Sequence, residues 1–153
     1  MGEFRRALPS KRAAIALRNQ PRNRIAAIMR GNKKKDTRPE LAVRRLLSQS
    51  GYRYRLHARE LPGVPDIVFR KAKKVIFVHG CFWHQHPSAS CKLVKVPRSN
   101  VRYWGPKLAG NRRRDVMNVG TLSKYGWRVL EIWECEVSEP DALVLRLRLF
   151  LSE

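Results

Sequence analysis

Residues 73–91 read KKVIFVHGCFWHQHPSASC. The run opens as a strand, Val75-Ile76-Phe77-Val78-His79, and stops at Gly80. Two cysteines, two further histidines and the adjacent pair Phe82-Trp83 follow within eleven residues. Three of the four histidines and two of the three cysteines in the chain lie in this one stretch. Ligand-type side chains just past a strand end are carried by a rigid element, as a binding or catalytic constellation requires.

Working outward, Asp66-Ile67-Val68-Phe69 reads as a second strand with Asp66 at its entrance, and Arg70 to Lys73 as the hairpin turn between the two. Both strands are apolar on both faces, the pattern of central strands covered by helices. Leu61-Pro62-Gly63-Val64-Pro65 is a rigid turn, and before it Tyr52-Arg53-Tyr54-Arg55-Leu56-His57 alternates, predicting a strand with one face buried. His57 there reads as a surface or edge residue. Thr37-Arg38-Pro39-Glu40 is a helix start: Thr37 caps, Pro39 suits the first turn, and Glu40 stands three after the cap as in a capping box. Ala42, Val43, Leu46 and Leu47 recur at helical spacing up to Gly51.

Downstream, residues 100–124 read as mainly helical, interrupted at Gly105-Pro106 and near Gly110, and ended by Gly126. Residues 127–133 alternate as a fourth strand, with Cys135 just past its end. A closing helix runs from Asp141 to Leu151, with Leu143, Leu147 and Phe150 on one face. This order predicts an α/β fold, a small mixed sheet with helices on both faces.

The chain is strongly basic: 33 Lys and Arg against 12 Asp and Glu give +21 over 153 residues. Such a field attracts a polyanion, most commonly nucleic acid. No apolar run approaches the ~20 residues of a membrane helix, so no membrane partner is expected. Three cysteines cannot all pair within the chain, so reduced thiols used as ligands in an intracellular setting fit better than a disulfide scaffold. Residues 1–20 read as a basic, flexible arm, suited to phosphate contact or standing as a solvated tail, Arg22 to Arg30 as a short basic helix, and residues 21–153 as one domain.

Four groups carry chemistry. Cys81, His86, Cys91 and Cys135 offer three sulfurs and one imidazole, the donor set of a closed tetrahedral zinc site; the bland alternative is three reduced cysteines with no shared site. Asp66, after Val-Pro and before a hairpin, has the skeleton of the PD-(D/E)-x-K nucleases, in which carboxylates bind Mg²⁺ for phosphodiester hydrolysis. The second acid and the lysine of that pattern are absent, since Val78 and Gly80 stand in their places. His84, free of the zinc set, has the chemistry of a general base near a metal carboxylate, or of a surface histidine. Phe82 and Trp83, and with them Trp104, either stack on and wedge between bases or pack over the zinc loop.

Together with Gly110-Asn111-Arg112-Arg113-Arg114-Asp115 and Gly126-Trp127-Arg128-Val129 through Trp133-Glu134-Cys135, the Leu61-to-Asp66 turn and the Val75-to-His84 run resemble the very short patch repair (Vsr) DNA mismatch endonucleases. The resemblance implies a restriction-endonuclease-like core with a structural zinc, and an enzyme that nicks DNA at the T:G mismatches left by deamination of 5-methylcytosine. It implies Mg²⁺ on Asp66 and on the backbone carbonyl of Val78, His84 as general base, and Glu40, His79 and Asp115 around the reacting centre. It implies Zn²⁺ on Cys81, His86, Cys91 and Cys135, and DNA contacts from Met29, Phe82, Trp83, Trp104, Asn111 and Arg112. Double-stranded DNA bearing a mismatch is the implied partner, with other repair proteins beside it, in the bacterial cytoplasm. Two departures stand out: Val78 where the family often has threonine, and Pro87-Ser88-Ala89-Ser90 lengthening the path from His86 to Cys91. A related nuclease of different mismatch or sequence specificity and a non-catalytic, zinc-stabilised DNA-binding module are the alternative functions.

Overall fold

The computed structural model describes residues 35–152. The basic arm, the Arg22-to-Arg30 helix and Met29 therefore lie outside the described residues.

The first helix, α1 (Arg38–Gln49), starts where its capping chemistry dictates. Thr37 Oγ1 accepts the Glu40 N–H at 3.4 Å, and Glu40 Oε2 accepts the Thr37 N–H at 3.2 Å. Val43 and Leu47, one turn apart, are buried, and Gly51 follows the C-cap at φ 79°. Strands β1 (Arg55–Leu56), β2 (Ile67–Phe69), β3 (Lys74–His79) and β4 (Arg128–Trp133) form one sheet in the order β1-β2-β3-β4. The first two pairings are antiparallel and β3–β4 is parallel, with His79 opposite Trp133.

Alternation within the sheet sorts its side chains onto two cores. Ile67, Ile76, Leu130 and Ile132 pack with Val43 and Leu47 of α1 and with Leu143 and Leu147 of the closing helix α4 (Pro140–Ser152). Val68, Val75 and Phe77 pack on the other face with Leu122 of α3 (Val101–Lys124). Each fully buried aliphatic residue contributes about 1.5–3 kcal/mol of transfer free energy, so helices on both faces are what hold this short sheet. A mixed sheet covered on both faces is thus the observed architecture.

Three local expectations are corrected. The strand expected over residues 52–57 pairs only at Arg55 and Leu56, both exposed. Its partner β2 is three residues long, and Tyr52 and Tyr54 turn to meet Phe69 edge-on at centroid distances of 6.3 and 6.1 Å. The helix expected to break at Gly105-Pro106 and near Gly110 runs unbroken over 24 residues. Pro106 falls in its second turn on the exposed side, and Arg102, whose carbonyl loses its usual donor, is exposed too. The loop expected after Gly80 is a single helical turn, α2 (Cys81–His84), closed by Gln85 at φ 51°.

Glycine is needed at Gly63, where φ is 74° and an added Cβ would stand 2.7 Å from Asn118 Nδ2. The turn before Asp66 is thereby pressed against α3.

Candidate active site and cysteine–histidine centre

Asp66 ends the 61–65 turn immediately before β2, and its Oδ2 accepts the Val78 N–H at 2.8 Å. The carboxylate is thus bonded to β3 one residue before that strand ends. Burial raises its pKa, against the lowering effects of the Val78 N–H, His79, His57 and Arg44. The last of these effects set two groups of side chains around it.

On the α3 side stand two imidazoles. His84, on α2, lies 2.6 Å through Nδ1 from Asp115 Oδ2, in the middle of α3. An ionised carboxylate only accepts, so neutral His84 donates from Nδ1 and keeps a lone pair on Nε2. His79 stacks on His84 at 4.3 Å between ring centroids and touches Trp133 at 5.1 Å. His79 Nε2 lies 3.1 Å from Glu131 Oε1 on β4. His79, His84 and Asp115 bring one potential ligand atom each within 4.8 Å of one another.

On the α1 side, Glu40 is buried. Its Oε2 is engaged in the capping box, and its Oε1 meets Arg44, one turn on, and His57 Nε2 at 3.3 Å. Arg44 also pairs with Asp36 at 2.7 Å and lies 2.8 Å from His57 Nε2. The Arg44 hydrogen bond lowers the Asp36 carboxyl pKa. Asp36, Glu40 and His57 form a third ligand-like trio, with the Arg44 guanidinium already among them as its cation. His57 is thus at the sheet edge as expected, but half-buried in a polar cluster. Arg44, Asp36, His57 and Glu131 are neighbours of these groups that the sequence does not mark. The only sequence signal among them is the helical i,i+4 spacing of Glu40 and Arg44.

Cys81, His86, Cys91 and Cys135 converge so that one donor atom from each lies within 4.8 Å of the others. His86 Nδ1 is 3.9 Å from Cys81 Sγ and 3.4 Å from Cys135 Sγ, and its ring stacks on Trp133 at 4.4 Å. The lengthened 87–90 segment brings Cys91 into the set. Burial pushes the Cys81 thiol up to about 12 and raises Cys135, while a hydrogen bond with His86 lowers Cys91 to about 7. Gly80 admits this turn: an added Cβ would meet Trp83 Cδ1 at 3.2 Å. Glu134 Oε2 accepts the Cys81 N–H at 3.3 Å, tying α2 to the segment that carries Cys135.

Phe82, Trp83 and Trp104 form one aromatic cluster, with centroids 5.1 to 5.9 Å apart. Trp104 is its buried base; Phe82 and Trp83 are half-buried over it. Asn111 Nδ2 donates to the Trp83 carbonyl at 2.9 Å, so Asn111 braces the cluster from α3. Exposed Arg112 lines a groove of about 300 Å³ beside Trp104, with Gln85, Val96, Pro97 and Val101. No helix among the described residues is long and apolar enough to cross a membrane.

Known proteins share this arrangement of sequence. The family model described as DNA mismatch endonuclease Vsr matches residues 19–91. The type II nicking enzyme V.XorIIP of Xanthomonas oryzae pv. oryzae is 49% identical over 125 residues, 82% of this chain and 90% of that protein. The type II nicking enzyme V.NmeAIP of Neisseria meningitidis serogroup A is 40% identical over 119 residues, 78% of this chain and 83% of that protein. The DNA mismatch endonuclease Vsr of Escherichia coli is 41% identical over 115 residues, 75% of this chain and 72% of that protein.

Proposed function

The chain belongs to the Vsr family of DNA mismatch endonucleases and is a DNA endonuclease; on that premise we propose that it nicks one strand 5′ of the thymine in a T:G mismatch, using Mg²⁺, in very short patch repair of deaminated 5-methylcytosine. The observation that carries the reading is the His84–Asp115 pair stacked on His79, the last residue of β3, with Asp66 bonded to the preceding residue, Val78. It supplies an oriented base at the strand end to which a carboxylate raised by burial is bonded.

The donor sets fit two metals. Asp66 and the Val78 carbonyl would hold Mg²⁺, a cation that relieves the desolvation raising the Asp66 pKa. When bound there, Mg²⁺ supplies Lewis-acid stabilisation of charge developing on the phosphate. Three thiols and an imidazole fit a closed Zn²⁺ site, which would hold as thiolates the Cys81 and Cys135 thiols that burial raises together with the Cys91 thiol that His86 lowers. That centre fastens α2 to the segment after β4, and so holds His84 and the aromatic cluster at the strand end.

His84 Nε2 takes the proton of the attacking water while Asp115 holds Nδ1–H and steadies the imidazolium that forms. The water oxygen bonds to phosphorus as the bond between phosphorus and the 3′ oxygen breaks, and the departing 3′ oxygen takes a proton from solvent, leaving a 3′-hydroxyl and a 5′-phosphate. Glu40, anchored by Thr37 and Arg44, borders the centre. Phe82 and Trp83 enter the duplex at the mispair, where unstacking is cheapest, with Trp104 beneath them. Asn111, Arg112 and the basic arm, with Met29, supply further DNA contacts, and the +21 charge makes binding strongly salt-dependent. The domain over residues 21–153 acts in a bacterial cytoplasm, where its thiols stay reduced.

The test is nicking of duplexes that differ in one base pair, with Mg²⁺ and with chelator. T:G duplex is cut 5′ of the thymine only with Mg²⁺, and Asp66→Ala abolishes the cut while keeping mismatch binding. His84→Ala slows it by roughly 10²–10⁴-fold, the usual contribution of a general base. No cut in T:G duplex refutes the reading. Cutting of a different mispair moves the specificity, an outcome that relatives named as type II nicking enzymes keep in view.

A further inference from the structure

Glu131 is an acid placed inside a strand between two core residues, Leu130 and Ile132, which point to the opposite face. In the parallel register it stands opposite Phe77, on the face that carries His79 two residues on. Its Oε1 lies 3.1 Å from His79 Nε2. His79 is only 5% exposed and is gripped on its faces: by Phe77 at 5.7 Å and 8°, by Trp133 at 5.1 Å, and by His84 at 4.3 Å. Two stacked imidazoles are therefore each tied at one ring nitrogen by a carboxylate from a different element, Glu131 from β4 and Asp115 from α3.

We propose that Glu131 is a positioning residue for the nicking reaction: by fixing the tautomer and plane of His79, it sets the surface on which His84 stacks and so the direction of the free His84 nitrogen. The inference rests on the nuclease reading above. A carboxylate accepts and never donates when ionised, so Glu131 requires Nε2–H on neutral His79. Packing alone restrains the plane of His79 but does not choose between its ring nitrogens; the hydrogen bond does. Asp115 fixes which His84 nitrogen carries the proton, yet one bond leaves that ring free to swing about it. The His79 face removes this freedom. Small errors in the direction of a proton acceptor are costly because proton transfer needs a near-linear approach.

The experiment uses the zinc-loaded full chain with Glu131→Leu, which keeps volume and removes the acceptor, and Glu131→Gln, whose amide oxygen still accepts from Nε2–H. Three quantities are read: single-turnover nicking of the mismatched duplex with Mg²⁺, affinity for the same duplex without Mg²⁺, and the ¹⁵N shifts of the imidazoles. Glu131→Leu slows nicking roughly tenfold, the scale of a lost outer partner, with affinity and zinc content unchanged. Glu131→Gln keeps most of the wild-type rate. His79 reads as Nε2–H in wild type and Glu131→Gln, and as a mixture of tautomers in Glu131→Leu.

Nicking by Glu131→Leu at the wild-type rate overturns the proposal. So does Glu131→Gln failing as badly as Glu131→Leu while His79 keeps Nε2–H, which assigns the effect to charge and not to the tautomer, or a rate loss matched by a loss of affinity. Should Glu131→Leu not fold, Glu131→Thr takes its place under the same criteria. A wild-type chain that cuts no duplex refutes the nuclease reading instead, and the imidazole spectra then still test the bond: an unchanged His79 tautomer in Glu131→Leu refutes it.

Discussion

Asp115→Asn isolates what the short contact to His84 contributes. The two side chains are 29% and 19% exposed and 2.6 Å apart, so the bond is charge-assisted and only partly screened by water. Hydrogen bonds to charged groups contribute about 1.5–3 kcal/mol, which at 1.4 kcal/mol per decade is roughly ten- to a hundredfold in rate if felt fully in the transition state. Asparagine adds a second loss, because its amide can turn its NH₂ toward Nδ1 and so move the ring proton to Nε2, removing the acceptor. The same exchange in a serine-protease triad costs about 10⁴-fold through the wrong tautomer. In the half-exposed setting here the amide turns more freely, and the expected loss is on the order of 10²–10³ in the single-turnover rate. Binding of mismatched duplex without Mg²⁺ stays at the wild-type level, because Asp115 acts through His84 and not on the DNA. A rate equal to that of the wild type would refute the oriented-base argument; an equal loss in affinity would make Asp115 a scaffold residue.

The remaining predictions concern stability and binding. Burial raises the Asp66 carboxyl, so ionising it works against the metal-free fold. That cost is absent in acid, where Asp66 is protonated in folded and unfolded chains alike, and it grows as pH climbs from the ordinary carboxylate value to the raised one. Asp66→Asn therefore raises the thermal midpoint of the metal-free protein near neutral pH and not in acid while abolishing nicking; equal midpoints at neutral pH would contradict the desolvation argument. Protein purified without added zinc carries one equivalent by elemental analysis, and Cys135→Ala loses both metal and cooperative unfolding; a well-folded protein with far less zinc would remove the metal from the reading. Trp83→Ala weakens binding to mismatched duplex more than to matched duplex, as anisotropy titrations would register, and equal losses would leave Trp83 as packing over Trp104.

Local chemistry determined much of this protein before any fold was known. Thr37 and Glu40 announced α1 because a capping box is closed by residues three apart. The doubly apolar runs after Asp66 and Lys73 announced central strands, since no single-faced strand hides every side chain. The convergence of Cys81, His86, Cys91 and Cys135 followed from donor type, even with four residues between His86 and Cys91. Where the reading failed locally, tertiary packing had overruled propensity. Pro106 is tolerated in α3 because its side of the helix is exposed, and the 52–57 strand is cut short by a short partner.

What only the tertiary structure decided is long-range partnership. Glu131 meets His79 across 52 residues, His57 meets Arg44 across 13, and Asp115 meets His84 across 31. Each contact depends on a register or a helix rotation set by the two hydrophobic cores together. A sequence states which residues cap, alternate or ligate, because those rules act over a few positions. It does not state which distant carboxylate will face which imidazole, because that is fixed by how whole elements settle against one another.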